Sequence, residues 1–131
     1  MSGGLLHHVE IYVSSLRESK EFWGWFLGDL GYSEFQNWDS GVSYKLGSCY
    51  IVFVQVEKKY KDIPYHRCGV GLNHLAFFAK SKNQIDEITQ KLKEKKIEIL
   101  YKEKHPFAGG PDSYALFFED PDRIKVELTL A

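Results

Sequence analysis

Two histidines and one glutamate have the types and the setting that a divalent metal needs. His8 lies in Leu6-His7-His8-Val9-Glu10-Ile11-Tyr12-Val13, and His74 in Leu72-Asn73-His74-Leu75-Ala76-Phe77-Phe78-Ala79. Each is third in a Leu-x-His-apolar run that continues as a strand. Glu127 is the lone carboxylate in Ile124-Lys125-Val126-Glu127-Leu128-Thr129-Leu130. Two neutral imidazoles and a carboxylate form a set that holds a metal and leaves other coordination positions open to a substrate. A single strand histidine is more often a satisfied or exposed residue. The duplicated context, together with Glu127, favours ligation here. A buried carboxylate without a partner is costly, and a metal is one way to satisfy it. Glu10 can act as a general base if metal and substrate raise its pKa toward the working pH, although an ion pair with Lys125 is the simpler role.

Other polar residues offer weaker chemistry. Tyr12, Tyr44 and Tyr114 can hydrogen-bond a substrate oxygen, but strand aromatics mostly pack. His66 and Arg67 can reach an anion, but a solvated loop accounts for them. His7 points with the helix-side residues, and His105 sits in a loop with the character of a lid or of plain surface. Cys49 and Cys68 lack a CxxC spacing and an evident base, which argues against a nucleophile. Trp23, Trp25 and Trp38 read as core or interface residues.

The elements that must position these groups come in two series. Strand 6–13 runs into Ser15-Leu16-Arg17-Glu18, a capping box that opens a helix to about Leu30 with Gly31 as its stop. Leu16, Trp23, Phe26, Leu27 and Leu30 form its apolar stripe. Strand 72–79 runs into Ser81-Lys82-Asn83-Gln84, a second capping box, and a helix to about Lys96 with Ile85, Ile88 and Leu92 inward. Short β stretches follow each helix: 32–38, 42–47 and 49–56 in the first half, and 97–103, 114–119 and 124–130 in the second. Each half therefore reads βαβββ, an α+β arrangement. The two histidines are 66 residues apart. The closing strands match at an offset of about 74, which sets Phe53 against Glu127. The extra residues belong to the Gly- and Pro-rich loop 104–113. The expected organisation is one domain over 1–131, with a module at about 5–56, a polar linker at 57–71 and a second module at about 72–131.

Alternation along the strands sorts the faces. Val9, Ile11 and Val13 should receive the first helix, leaving His8, Glu10 and Tyr12 on the other face. Val126, Leu128 and Leu130 take the helix side, opposite Lys125, Glu127 and Thr129. His74, Ala76 and Phe78 lie opposite Leu75 and Phe77. All three candidate ligands thus stand opposite the helix-covered faces, and curved sheets would turn those faces into a shared cavity.

Composition narrows the classes. Of 131 residues, 44% are hydrophobic and 15% aromatic, enough for a substantial core. A formal net charge of −1 offers no basic field for nucleic acid or a membrane surface. No apolar run approaches the roughly 20 residues of a membrane span. Met1-Ser2-Gly3-Gly4-Leu5-Leu6 has no signal-peptide character, and two cysteines make no disulfide framework. The expectation is a soluble, cytoplasmic protein with free thiols and a small-molecule substrate. Phe22, Trp23, Trp25 and Phe26 make the first helix aromatic on more than one face, which suits a homodimer.

On these motifs, and on Phe117-Phe118-Glu119-Asp120-Pro121-Asp122-Arg123 running into Val126-Glu127-Leu128, the chain resembles the vicinal oxygen chelate superfamily, the glyoxalase/bleomycin-resistance/dioxygenase group. The resemblance spans nearly the whole chain. It implies paired βαβββ modules forming a cupped, incomplete mixed β-barrel with helices outside and a divalent metal (Zn, Ni, Mn, Fe or Co) within. It also implies a substrate bound through adjacent oxygens, with a developing enediolate or oxyanion stabilised in lyase, isomerase, transferase or dioxygenase chemistry. Pairing of small two-module chains into dimers is a habit of the group. Other members hold no metal and sequester drugs, as in bleomycin resistance. The chain departs from the group in two places. Glyoxalase I-like sites have a fourth ligand where Phe53 is matched, with Gln55 or Glu10 as substitutes nearby, and Arg123 replaces the Gly of the family's Asp-Pro-Asp-Gly turn.

Overall fold

Two serines start the helices as their spacing predicts. In the computed structural model, which describes residues 3–130, Ser15 Oγ accepts from the Glu18 backbone N–H at 3.4 Å and opens α1 (Leu16–Asp29). Ser81 Oγ accepts from Gln84 N–H at 3.1 Å and opens α2 (Lys82–Glu94). The return arm of the second box lands one residue early: Gln84 Oε1 accepts from the Lys80 backbone N–H at 2.8 Å. Both helices end alike. Gly31 N–H bonds to Gly28 C=O and Tyr32 N–H to Leu27 C=O, the paired bonds of a Schellman stop. Lys96 N–H to Lys93 C=O and Ile97 N–H to Leu92 C=O repeat it. The left-handed residue is Gly31 in the first (φ 101°) and Lys96 in the second (φ 61°).

The chain divides into two compact units, Met1–Pro64 and Tyr65–Ala131. In the first, β1 (His8–Val13) precedes α1, and β2 (Ser33–Trp38), β3 (Gly41–Leu46) and β4 (Cys49–Gln55) follow it. The sheet order is β1-β4-β3-β2, with β1 parallel to β4 and the other pairs antiparallel. Of the expected apolar stripe of α1, Trp23, Phe26 and Leu27 are fully enclosed and Leu16 is buried with Phe22 beside them, while Leu30, at the helix cap, is only half-buried. Val13, Val42 and Phe53 complete this core from the sheet.

In the second unit, β5 (His74–Phe78) precedes α2, and β6 (Ala115–Glu119) and β7 (Lys125–Thr129) follow it, in the order β5-β7-β6. Again the first strand is parallel to the last. Ile85, Ile88 and Leu92 of α2 are buried, as are Leu116, Phe118, Val126 and Leu128. Each such side chain contributes about 1.5–3 kcal/mol on burial. The expected strand 97–103 does not form. Only Ile99 makes a β-bridge, to Phe118, and Leu100 N–H reaches Phe117 C=O at 2.9 Å. Left-handed residues interrupt this stretch, Lys96 just before it and Tyr101 (φ 56°) within it, so the chain turns before an extended ladder can build. The long stretch from there to β6 is turns. The fold is thus α+β, two modules each carrying a mixed sheet, of four strands and of three. No helix among the described residues is long and apolar enough to cross a membrane.

Candidate functional site

Strand register decides which side chains share a face. In the parallel pair β1–β4, His8 stands beside Tyr50, Glu10 beside Val52 and Tyr12 beside Val54. Between them, Ile11 pairs with Phe53 and Val13 with Gln55, on the face toward α1. There the Phe53 ring stacks on Trp23, 4.8 Å between centroids and 24° apart. In β5–β7, His74 stands beside Lys125 and Ala76 beside Glu127, while Leu75 pairs with Val126 and Phe77 with Leu128. The first-unit counterpart of Glu127 is therefore Val52, 75 residues earlier, and not Phe53. The sequence match was one residue out, and in a strand a slip of one residue turns the side chain to the other face. Phe53 belongs to the core.

Gln55 is no substitute ligand either. Its Oε1 accepts from the Leu16 N–H at 2.9 Å, and its Nε2 donates to Ser14 C=O at 2.9 Å. Both ends of the amide are spent on fixing the entry to α1.

The second unit assembles two of the three candidate ligands. His74 Nε2 lies 3.0 Å from Glu127 Oε1, and His74 Nδ1 lies 2.6 Å from Asn73 Oδ1. The imidazole is half-buried and the Glu127 side chain only 16% exposed. The Asn73 oxygen can only accept, so it takes the Nδ1–H. In the neutral ring, Nε2 then presents its lone pair toward a carboxylate oxygen. Two electron-rich atoms at that distance call for a cation, either a proton or a metal. Holding the distal imidazole nitrogen with a hydrogen-bond acceptor is how metal-ligating histidines are oriented. The donor set fits a divalent ion. Within each unit, no group of three or more His, Cys, Asp or Glu is gathered among the described residues.

His8 has a different setting. It is exposed, its Nδ1 lies 2.8 Å from His7 Nδ1, and its ring stacks on Tyr50 at 4.8 Å and 4°. His7, expected to turn away, is thus the partner of His8. Glu10 is exposed on the same face of β1. Lys125 has its partners within the second unit. It donates to Tyr101 Oη at 3.2 Å and lies over the Tyr101 and Phe117 rings.

The remaining candidates have ordinary partners. Arg67 is not a free arm in a solvated loop. It ion-pairs with Glu119 and reaches the Arg123 C=O at 3.4 Å. Arg123 is left-handed (φ 67°), as the missing glycine suggested, and its Nε lies 3.3 Å from Glu119. Asp120 Oδ1 ties that turn by accepting from the Asp122 and Ile124 N–H groups at 2.8 Å each. His66 Nδ1 accepts from Cys68 N–H at 3.0 Å. Tyr114 donates to Asp86 at 2.5 Å, a bond that raises its pKa. Burial raises that of Tyr44. His105 is half-buried, and desolvation with the nearby Lys93 charge lowers its pKa. Tyr12 is exposed. Of the tryptophans only Trp23 is core; Trp38 is exposed, its indole N–H on Ser40 Oγ at 3.0 Å. Both cysteines are free.

Sequence reading passed over Asn73 and Tyr101. Asn73 adjoins a candidate ligand and has a side chain able to orient it, so the signal was present. Tyr101 is 24 residues from Lys125, and no local pattern links them.

Known proteins supply the context. A family model described as the Glyoxalase/Bleomycin resistance protein/Dioxygenase superfamily matches residues 5–128. The uncharacterized protein YqjT of Bacillus subtilis is 57% identical over 123 residues, 94% of this chain and 96% of its own. A crystal structure from Bacillus halodurans, provisionally described as a glyoxalase, superposes with a TM-score of 0.97 at 56% identity, covering 98% of this chain and 97% of that one. Lactoylglutathione lyase from Agrobacterium tumefaciens shares the fold at a TM-score of 0.67 and 20% identity, over 100% and 96% of the two chains. With its two βαβ-based modules and this match over almost its whole length, the chain belongs to the glyoxalase/bleomycin resistance protein/dioxygenase superfamily.

Proposed function

We propose that this protein is a metal-dependent enzyme of the glyoxalase group acting on a small compound with two adjacent oxygens. The observation that carries this reading is the Asn73–His74–Glu127 arrangement, an imidazole fixed from behind with its free nitrogen turned to a carboxylate. His74 and Glu127 would hold the ion. His8 is the third proposed ligand, because it opens β1 of its unit at the position that His74 holds in β5 of the other. A divalent ion (Zn, Ni, Mn, Fe or Co) supplies Lewis-acid stabilisation of negative charge on a substrate oxygen, worth several kcal/mol.

The chain's own residues do the rest. Asn73 fixes the ring of His74 and the nitrogen it presents. Glu127 supplies negative charge, and its second oxygen can hold a proton. Glu10, exposed on the His8 face, is the proposed proton acceptor from a bound substrate. Lyase or isomerase, transferase and dioxygenase chemistry all draw on such a set.

The test is elemental analysis of untagged protein beside His8→Ala, His74→Ala and Glu127→Ala. About one metal per chain, lost in the His74 and Glu127 variants, is the expected result, and retention in His8→Ala would remove that residue from the set. Wild-type protein that takes up no Mn, Fe, Ni, Co or Zn on reconstitution would overturn the enzyme reading and favour a metal-free small-molecule binder.

A further inference from the structure

Lys125 occupies an unusual position for a lysine. It stands beside His74 in the β5–β7 register and two residues from Glu127, so all three side chains share one face of the sheet. Phe117 faces Glu127 across β6–β7 and belongs to the same face. Its ring lies edge-on to His74 at 6.5 Å and under the Lys125 ammonium at 5.6 Å. Tyr101 closes the other side, with its ring 5.4 Å from the ammonium and edge-on to Phe117 at 5.5 Å. Tyr101 does this from a left-handed backbone (φ 56°), costly for an aromatic residue and of the kind that clusters at functional sites.

These contacts hold the cation in place without neutralising it. Aromatic faces attract an ammonium but carry no net charge. The Tyr101 hydroxyl accepts one of its three N–H groups and leaves two. Within its unit, no carboxylate among the described residues lies within ion-pair distance of Lys125. Glu127, two residues along the strand, is turned to His74, and Glu119, opposite Lys125 across β6–β7, is engaged by Arg67 and Arg123. A half-buried lysine positioned by aromatic rings, with two further donors and no counter-ion among the described residues of its own unit, has the makings of an anion subsite.

We infer that Lys125, held by Tyr101 and Phe117, binds an anionic group on the substrate and so restricts the site to vicinal-oxygen compounds that also carry a carboxylate or phosphate. The inference rests on the functional reading above in that it places the reacting oxygens at His74 and Glu127. Direct charge-assisted hydrogen bonds to such a group are stronger than neutral ones and fix its orientation.

Paired probes test it. Catechol and the 2,3- and 3,4-dihydroxybenzoates offer the same adjacent oxygens, without and with a carboxylate. Each is titrated calorimetrically into metal-free and Zn-reconstituted protein. Wild type should favour at least one dihydroxybenzoate over catechol by roughly tenfold, as a single charge-assisted contact provides. Lys125→Met should bring the ratio to about one with the melting temperature and zinc content kept, whereas Lys125→Arg should retain most of it. An unchanged ratio in Lys125→Met, or no preference in wild type, overturns the inference. Wild type that takes up none of Mn, Fe, Ni, Co or Zn yet prefers a carboxylated probe through Lys125 upholds the anion subsite and defeats the metal reading. Zinc binding with no such preference does the reverse.

Discussion

The two units share a backbone plan and differ in what it presents. Each runs its first strand parallel to its last, covers one face with a helix opened by a serine, and starts the first strand with a histidine on the face opposite that helix. In the second unit that histidine meets a carboxylate from the neighbouring strand. In the first, the same register position holds Val52, 3% exposed, and the carboxylate sits instead on β1 itself as Glu10. His8 leans on His7 and Tyr50, whereas His74 is braced by Asn73 and Glu127. A repeated frame therefore preserves positions without preserving chemistry. Register, rather than residue type alone, shows which positions correspond.

The largest effect expected separates core from site in β4. Phe53→Ala should cost about 3–5 kcal/mol, because the ring is fully buried and stacked on Trp23. Its metal content should stay at the wild-type level. Val52→Glu addresses the other face, placing a carboxylate at the counterpart of Glu127. Without metal it should destabilise by several kcal/mol, the cost of a charge with little access to water. Urea titrations with and without added zinc check both variants. Metal loss in Phe53→Ala, in protein shown to be folded, would return that residue to the site and undo the register argument.

The slip at Phe53 shows where sequence reading stops. The caps, the helix stripes and the alternation of β1 and β7 follow from nearest-neighbour chemistry, and the structure reproduces them to within a residue or two. The β4 register against β1 depends on how many residues the β2–β3 turns consume, and that is settled by pairing across the sheet. The strand expected at 97–103 failed for a related reason. Its apolar residues suit a strand, but Lys96 and Tyr101 adopt left-handed conformations that their residue types do not announce. The candidate ligands were legible as types in a repeated context. The bracket of Tyr101 and Phe117 around Lys125 was not, because it joins three separate stretches of chain.

A second-order effect tests whether the brace on His74 matters. Asn73→Ala removes the acceptor for Nδ1–H and leaves both candidate ligands of this unit intact. Metal affinity should fall about 10–100-fold, the usual consequence of losing an outer-shell partner. Asn73→Asp, which restores an acceptor oxygen, should recover most of it. Because Asn73 is exposed, the melting temperature without metal should barely move. Competition against a chelating dye gives the affinity, and equal values in all three proteins would show that His74 orients itself without help.

The smallest effect compares the helix ends, where the two units use one hydrogen-bond pattern with different residues. Gly31 takes φ 101° after α1, and Lys96 takes φ 61° after α2. A side chain in the left-handed region costs about 1–2 kcal/mol, while glycine gives back roughly 0.5–1 kcal/mol through the greater freedom of its unfolded chain. Lys96→Gly should therefore stabilise by about 0.5–1 kcal/mol. Gly31→Ala should destabilise by about 1 kcal/mol, since its Cβ would meet nothing nearer than Leu46 at 3.8 Å and backbone strain alone sets the cost. In thermal scans, each kcal/mol in a chain of this size moves the melting temperature by roughly 2–5 °C, with opposite signs for the two variants. If both variants lose stability, Lys96 contributes at the second helix end by some means other than its backbone angle, and the two helix stops differ in more than their residue at the turn.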